Sequence, residues 1–229
     1  MSSRAGPPPP WPVVVMAQVP DLEVHQEGPM EDALRPSVGQ VQLQWLRFRQ
    51  GVTLGRTLTR RPGVVERCRQ IEGIGEVRLS AIAGTVGPTG PNWLSFLAVA
   101  GLPDPCPRPL DGLTDSLRTY FASHLGHHGD ELRLGRVDGA WCPGFSDLQI
   151  RGRKLAGMGM RVRRGRGVIR GVIAVSPPGA PELARLDACH RLFGPGVDAS
   201  KLVSLAELAD LGIRDQEGAV RTLGAGLRR

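Results

Sequence analysis

The sequence predicts a single α+β domain organised on one central sheet. Near-perfect alternation of apolar and polar residues over Val41–Phe48, and a run of strand-like segments between Asp147 and Val175, mark β structure. Apolar residues at helical spacing (Leu113, Leu117, Tyr120 and Phe121, then Glu182 to Leu192) mark helices. The two kinds of element are interspersed with antiparallel hairpins, the pattern of an α+β architecture. With 229 residues, 41% of them hydrophobic, the chain can bury one ordinary core but not two large independent ones.

Taken in order, residues 1–12, rich in Pro and carrying Trp11, are expected to form a flexible arm outside the core. Residues 13–229 then make up one domain, with a short helical tail from about 195 to 229. A weak helical pattern over Asp21–Leu34 is interrupted at Gly28-Pro29. After the strand at 41–48, Val52–Leu58 is expected to return beside it. Pro62 followed by Val64, Val65, Cys68 and Ile71 predicts a helix of about three turns closed by Gly73. Arg78 to Asn92 reads as one loop full of small residues, of the kind that brings backbone amides close to another group, and Trp93–Val99 as the strand after it. Leu113–His124 is a helix broken at Gly126–Asp130. A meander follows, Asp147–Ile150, a tight turn at Arg151-Gly152, Lys154–Val162, a turn around Gly165 to Gly167, and Val168–Val175, stopped by Pro177-Pro178. Ser204, with Glu207 three residues on, is a capping box opening a last helix to Leu211.

Composition narrows the function classes. The formal charge is +7 and the pI near 10.2, which suits an anionic ligand or partner. No apolar run approaches the roughly 20 residues of a membrane span. Cys68, Cys106, Cys142 and Cys189 form no C-x-x-C pair, and the apolar stretch near the N-terminus is shorter than a secretory signal requires, so a reduced cytoplasm is expected. His124, His127 and His128 lie among glycines and read as an exposed turn, so no metal site is expected. Residues 151–170 carry eight basic side chains and no acidic one. Without interleaved aromatic platforms this is not expected to be a nucleic-acid surface. Its plainest reading is a solvated hairpin.

The segment Gly144-Phe145-Ser146-Asp147-Leu148-Gln149-Ile150-Arg151-Gly152-Arg153-Lys154-Leu155-Ala156-Gly157-Met158-Gly159-Met160-Arg161 resembles the core motif of the biotin and lipoate protein ligase family, which includes the octanoyltransferases. Asp147, Leu148, Gly152, Lys154, Gly157 and Arg161 fall in the family's register. Gly55, Arg78-x-Ser80, and the small-residue stretch through Gly84 and Gly90 to Trp93 are similar to its early strand and glycine-rich loop. The chain departs from the pattern at Val77, at Ala81, Ile82 and Ala83 where the family has glycines, at Gly87, and at Arg170-Gly171 where it has His-Gly. Side chains at 81–83 obstruct the close backbone approach that glycine permits. Gly152 to Gly157 also matches biotin ligases, but their Gly-Arg-Gly-x-x-Gly loop is absent.

The resemblance implies a class II synthetase-like, biotinyl/lipoyl ligase-like α+β domain whose central sheet is mixed, largely antiparallel and flanked by helices. It also implies transfer of lipoate or octanoate to a lysine of an acceptor domain. Lys154 would stabilise charge developing on a carbonyl or phosphate oxygen. The acyl group would travel as an adenylate, which calls for ATP, or as a thioester on Cys142, with an octanoyl thioester as donor. Gly157 and Gly159 would leave room for an acyl chain, or mark a close strand contact. Asp147 would orient Lys154 or a nucleotide, or cap the turn, and Arg161 would clamp a phosphate. Arg78, Ser80, Gly84 and Gly90 complete the expected binding set. The expected partners are a lipoyl-type acceptor domain or acyl-carrier protein and a small-molecule acyl donor. The alternative is a non-catalytic relative that binds an acyl chain, a carrier domain or nucleic acid. The acyl group, the route, the acceptor and the oligomeric state stay open.

Overall fold

The computed structural model describes residues 10–16, 31–82, 84–104, 106, 108–208 and 211–224. Its centre is β6 (Trp93–Gly101), buried at all nine positions because both faces and both edges are covered. An antiparallel β2 (Val41–Leu46) lies on one side and β10 (Arg166–Ala174) on the other. Beyond them the sheet extends through β1 (Val13–Val15), parallel to β2, and through β9 (Arg153–Arg163), β8 (Leu148–Ile150) and β7 (Leu132–Leu134), giving a seven-stranded sheet in the order β1-β2-β6-β10-β9-β8-β7. The expected mixed, largely antiparallel sheet is present, and the meander closes through two hairpin turns. Arg151-Gly152 and Arg164-Gly165 each place two successive residues at positive φ, the geometry whose twist matches paired strands.

Each face of this sheet has its own cover. Leu94, Phe96, Ala98, Ile169 and Ile173 pack against helix Pro109–His124, where Leu113, Leu117 and Phe121 are buried. Trp45, Phe96 and Phe121 meet edge-on or tilted there, with centroids 5.5–6.1 Å apart. The opposite face, with Trp93, Val172 and Ala174, packs against a second sheet, the three-stranded β4 (Glu76–Leu79), β3 (Gly51–Leu54) and β5 (Val86–Thr89). Helices α1 (Arg56–Thr59), α2 (Val64–Arg69) and α4 (Ala180–Arg191) surround that sheet; Pro109–His124 is α3 and Gln216–Gly224 is α5.

Several expectations change. The segment after residue 51 does not return beside β2: it ends at Leu54, turns into α1, and belongs to the second sheet. The 78–92 stretch is not one loop, because β4 and β5 take its two ends. The helix after Pro62 has six residues rather than three turns, and Ser204 caps a single 3-10 turn, Leu205–Glu207, not a helix. The helical pattern at 21–34 falls largely outside the described residues, as does the arm up to residue 9. Trp11 is not free of the core: its backbone N–H donates to Ser116 Oγ at 2.7 Å and its ring lies against Gly112 of α3.

Gly171 on β10 is paired with Phe96 on β6, and a Cβ there would overlap the Phe96 ring. Gly171→Ala is expected to lower unfolding stability by about 1–3 kcal/mol through overpacking, read as a drop in denaturant midpoint at unchanged slope.

Candidate active site

Lys154 owes its position to an irregularity in the β8–β9 hairpin. Leu148 pairs with Ala156 but Gln149 pairs with Lys154, so one step on β8 faces two on β9, and Leu155 is the extra residue of a bulge. A bulge shifts the alternation of side chains by one. Leu155 and Ala156 therefore both enter the α3-side core, and Lys154 shares the other face with Gly157, which strict alternation forbids. The absence of a side chain at Gly157 makes room for it, since a Cβ there would sit 2.9 Å from Lys154 Nζ and 3.1 Å from Trp141 Nε1.

The ammonium is completely buried, as is its partner Asp147, at 0% and 1% side-chain exposure. All three N–H bonds of Nζ find acceptors: Asp147 Oδ2 at 2.8 Å, the Trp141 carbonyl at 2.6 Å and the Cys142 carbonyl at 3.0 Å. The Trp141 ring lies 4.6 Å from Nζ, adding a cation–π contact. Asp147 Oδ2 also accepts the Gly144 N–H at 2.8 Å, which draws the 142–147 turn onto the ion pair. Burial pushes the Asp147 carboxyl up and the Lys154 ammonium down, and in each case the attraction of the other opposes the shift. Each charge is held by its partner.

Cys142 stands on the open side of this knot. Its φ of +41°, in the left-handed region, fixes the direction of the side chain. Sγ accepts the Thr85 N–H at 3.0 Å, a donor placed to stabilise negative charge on sulfur. Cys142 lines a cleft between the two sheets with an empty volume of about 510 Å³, part of it open to solvent. Its floor is the backbone of Gly157 and Gly159, and Gly84 and Gly87 line it from the 80–90 segment. Trp141, Ile82, Val86, Met158 and Val172 supply apolar wall; Thr53, Ser80 and Arg170 supply the polar side chains at another part.

Of the residues singled out in the sequence, the structure brings Ser80, Gly84, Cys142, Gly157 and Gly159 to this cleft and sets Lys154 with Asp147 directly behind it. Three lie elsewhere. Arg161, two residues beyond Gly159 along β9, is ion-paired with Glu31 rather than aimed into the cleft. Gly90 lies at the far end of β5, where its carbonyl accepts the Gln216 side chain at 2.9 Å. Arg78 is buried under the cleft wall, paired with Glu76 and donating to Thr89 Oγ1 at 2.9 Å. The basic hairpin is largely neutralised by acids from other elements, through Arg151–Glu131, Arg153–Glu207, Arg161–Glu31 and Arg166–Asp32. Ile82, buried and lining the cleft where the family pattern has glycine, occupies the space a close backbone approach to a nucleotide would use. The residues present therefore do not fit ATP bound in that manner.

The sequence reading missed Trp141, the Thr85 amide and the place of Arg170. Carbonyl and amide roles leave no mark in a sequence. Arg170 does leave one, as a charge in the middle of the otherwise apolar run from Gly167 to Ala174, which the structure shows buried throughout.

No family model matches the chain. In fold, it is that of the lipoate protein ligases. It superposes on lipoate-protein ligase A bound with ATP at a TM-score of 0.64, 11% identity, covering 95% of this chain and 83% of that one. P. falciparum LipL1 in complex with lipoate gives 0.60 at 10% identity, covering 95% and 61%. The bipartite lipoate protein ligase of Thermoplasma acidophilum, solved with its E2 lipoyl domain, gives 0.54 at 14% identity, covering 94% and 84%. In sequence, two octanoyl-[GcvH]:protein N-octanoyltransferases are similar over part of the chain. That of Geobacillus kaustophilus is 29% identical over 103 residues (41% of this chain, 36% of the relative), and that of Kyrpidia tusciae 33% over 92 residues (39% and 30%). The matched segment thus spans about a third of these relatives' length. The structural neighbours thus share the chain's fold, and the sequence relatives are similar to part of it.

Two predictions follow from the buried charges. Asp147→Asn leaves an unpaired buried ammonium and is expected to cost about 3–5 kcal/mol, whereas the double change Asp147→Leu with Lys154→Met recovers most of that loss; chemical denaturation of the three proteins measures both. His190, buried on α4, has its pKa pulled down to about 4 by burial and by the Lys154 charge. A depressed native pKa gives stability that is complete above the unfolded value near 6.5 and is lost as pH falls towards about 4, on the order of 3 kcal/mol. Thermal melts between pH 7 and 4 should show that slope, and His190→Gln should flatten it.

Proposed function

We propose that the protein is an acyltransferase that carries a lipoyl-type or octanoyl group as a thioester on Cys142 and delivers it to a lysine of an acceptor domain. The observation that carries this reading is the position of Cys142 Sγ, in the cleft, with the Thr85 N–H on the sulfur and a buried ammonium behind its own carbonyl. The names of the two sequence relatives, both protein N-octanoyltransferases, support the same chemistry, and the neighbour solved with its E2 lipoyl domain supports a lipoyl-type acceptor.

In the first step the Cys142 sulfur attacks the carbonyl carbon of a donor thioester. A new S–C bond forms, the donor's C–S bond breaks, and the donor leaves as a thiol with the proton that Cys142 gives up. In the second step the neutral amine of the acceptor lysine attacks the Cys142 thioester, the amide forms, and the proton lost by the amine restores the cysteine thiol. Both steps place negative charge on a carbonyl oxygen, which a fixed positive group beside it stabilises. Lys154, whose Nζ lies 2.9 Å from where a Cβ on Gly157 would sit, can answer it across that glycine by releasing its longest bond, that to the Cys142 carbonyl at 3.0 Å. An acyl chain then runs along the Gly157–Gly159 floor.

Ile82 in the glycine position favours the thioester over the adenylate. The non-catalytic alternative draws on the sealed state of Lys154, whose three donors are all used within the protein. Intact-mass measurement after incubation with an octanoyl thioester separates the two. The expected result is a single hydroxylamine-sensitive octanoyl adduct, absent in Cys142→Ala, that passes to a lipoyl domain. In Lys154→Met the adduct should form at least 10²-fold more slowly, the usual cost of removing one charge-stabilising donor. No adduct from any donor, with acyl compounds still bound, would establish the binding protein instead.

A further inference from the structure

Ile82 belongs to two surroundings at once. It lines the cleft, yet it is only 2% exposed and sits in a buried cluster with Leu46, Phe48, Leu97 and Val168. Among the described residues it is the one member of that cluster to reach the cleft. Its main chain is tied on both sides: the N–H donates to Ser80 Oγ at 3.2 Å, and the carbonyl accepts the N–H of Arg56, in the first turn of α1, at 2.9 Å. A β-branched side chain on a fixed backbone has few rotamers open to it, so it stands as a wall rather than a flap. The register of β9 and β10 sets its place along the floor. Gly157 is opposite Val172, Gly159 opposite Arg170, and Arg161 opposite Val168, which shares the Ile82 cluster. The bare floor therefore ends where the cluster begins. Cys142 marks the other end, its Sγ 3.7 Å from where a Cβ on Gly84 would sit. Ile82 precedes Gly84 by two residues, a span of at most roughly 7 Å.

An acyl chain that starts on Cys142 and follows the Gly157–Gly159 floor meets this side chain about one strand repeat, roughly 7 Å, further on. With carbon–carbon bonds of ~1.5 Å, on the order of six to eight carbons cover that path. We propose that Ile82 sets the longest acyl chain the protein accepts, because the chain ends against it and the cluster behind it is filled. This limit rests on the reading of the cleft as the acyl site, and adds to it the residue that selects the acyl group. Binding should change sign at the limiting length. Each methylene laid against apolar wall strengthens binding about four-fold. One driven into a close-packed core displaces side chains and weakens it. Ile82→Ala takes three carbons out of the path and leaves room for about two more methylenes where the surroundings do not collapse.

Two measurements on the full chain test it: calorimetric binding of the free saturated acids from hexanoate to dodecanoate, and the rate of Cys142 acylation from the matching thioesters, read by intact mass. The proteins are wild type, Ile82→Ala, Ile82→Val and Val168→Ala. Wild type should tighten about four-fold per methylene up to octanoate and lose at least ten-fold at decanoate, the range of an overpacked core. In Ile82→Ala the break should move to longer chains by about two carbons. Ile82→Val, which removes one methyl and keeps the cluster nearly intact, should strengthen decanoate binding in the same direction by a smaller factor. Val168→Ala loosens the same cluster without lining the cleft, and its break should stay at the wild-type length. No break in wild type, the same break in all four proteins, or a shift in Val168→Ala equal to that in Ile82→Ala would overturn the limit even if Cys142 is acylated normally. A break in acid binding that moves with Ile82, with no acylation of Cys142 from any thioester, would leave the limit standing and remove the transferase reading. Binding of no acid of any length by wild type would overturn both.

Discussion

The Lys154–Asp147 ion pair is the constraint on which the rest of the site depends. Two opposite charges with no exposure to water are costly to bury and must be satisfied in full. The local structure is arranged to do so: the bulge at Leu155 turns the lysine to the right face, Gly157 yields the space, and Asp147 pulls the Gly144 amide inward. The carbonyls of Trp141 and Cys142 complete the ammonium's shell, so the same contacts that satisfy the charge also hold the cysteine at the edge of the cleft. A change that loosens the ion pair also moves the sulfur.

The second sheet matters for a different reason. A seven-stranded sheet with one face on α3 would leave its other face exposed, and the three-stranded sheet with α4 covers it. The cover is incomplete where glycines on both sides leave the space between the layers without side chains to fill it, at Gly87 on β5 and at Gly157 and Gly159 on β9, and the cleft is that gap. The site is thus a packing defect between two well-formed layers, bounded by strands on both sides.

Much of this was legible in the sequence, for identifiable reasons. The hairpin meander and β2 follow from period-two alternation and from Arg-Gly turns, both local signals. Helix α3 follows from its apolar stripe. The second sheet was not legible, because β3, β4 and β5 are four residues each and their partners lie far apart in the chain, so that 78–92 reads as loop. The helix at 204–211 failed because a capping box specifies only a first turn, and here the chain stops after it. At the site, the Lys154, Asp147 and glycine pattern was readable, whereas the bulge that makes it work leaves no compositional trace. Arg161 was misplaced for the opposite reason. Its sequence register is right, but seven residues along a strand is a span of roughly 23 Å, and Glu31, distant in sequence, claims it.

The glycine floor of the cleft has a consequence of its own. Most binding pockets are shaped by side chains, which can change rotamer and admit a somewhat different guest. A surface made of main-chain atoms inside a sheet has no rotamers to change, and its contour moves only if the strand pairing moves. With Gly157 paired to Val172 and Gly159 to Arg170, that contour is fixed by the hydrogen bonds of β9 and β10. That contour is therefore stiff, and it can be narrowed by a methyl group at Gly159 but not at Gly157, where a Cβ would meet the Lys154 ammonium at 2.9 Å.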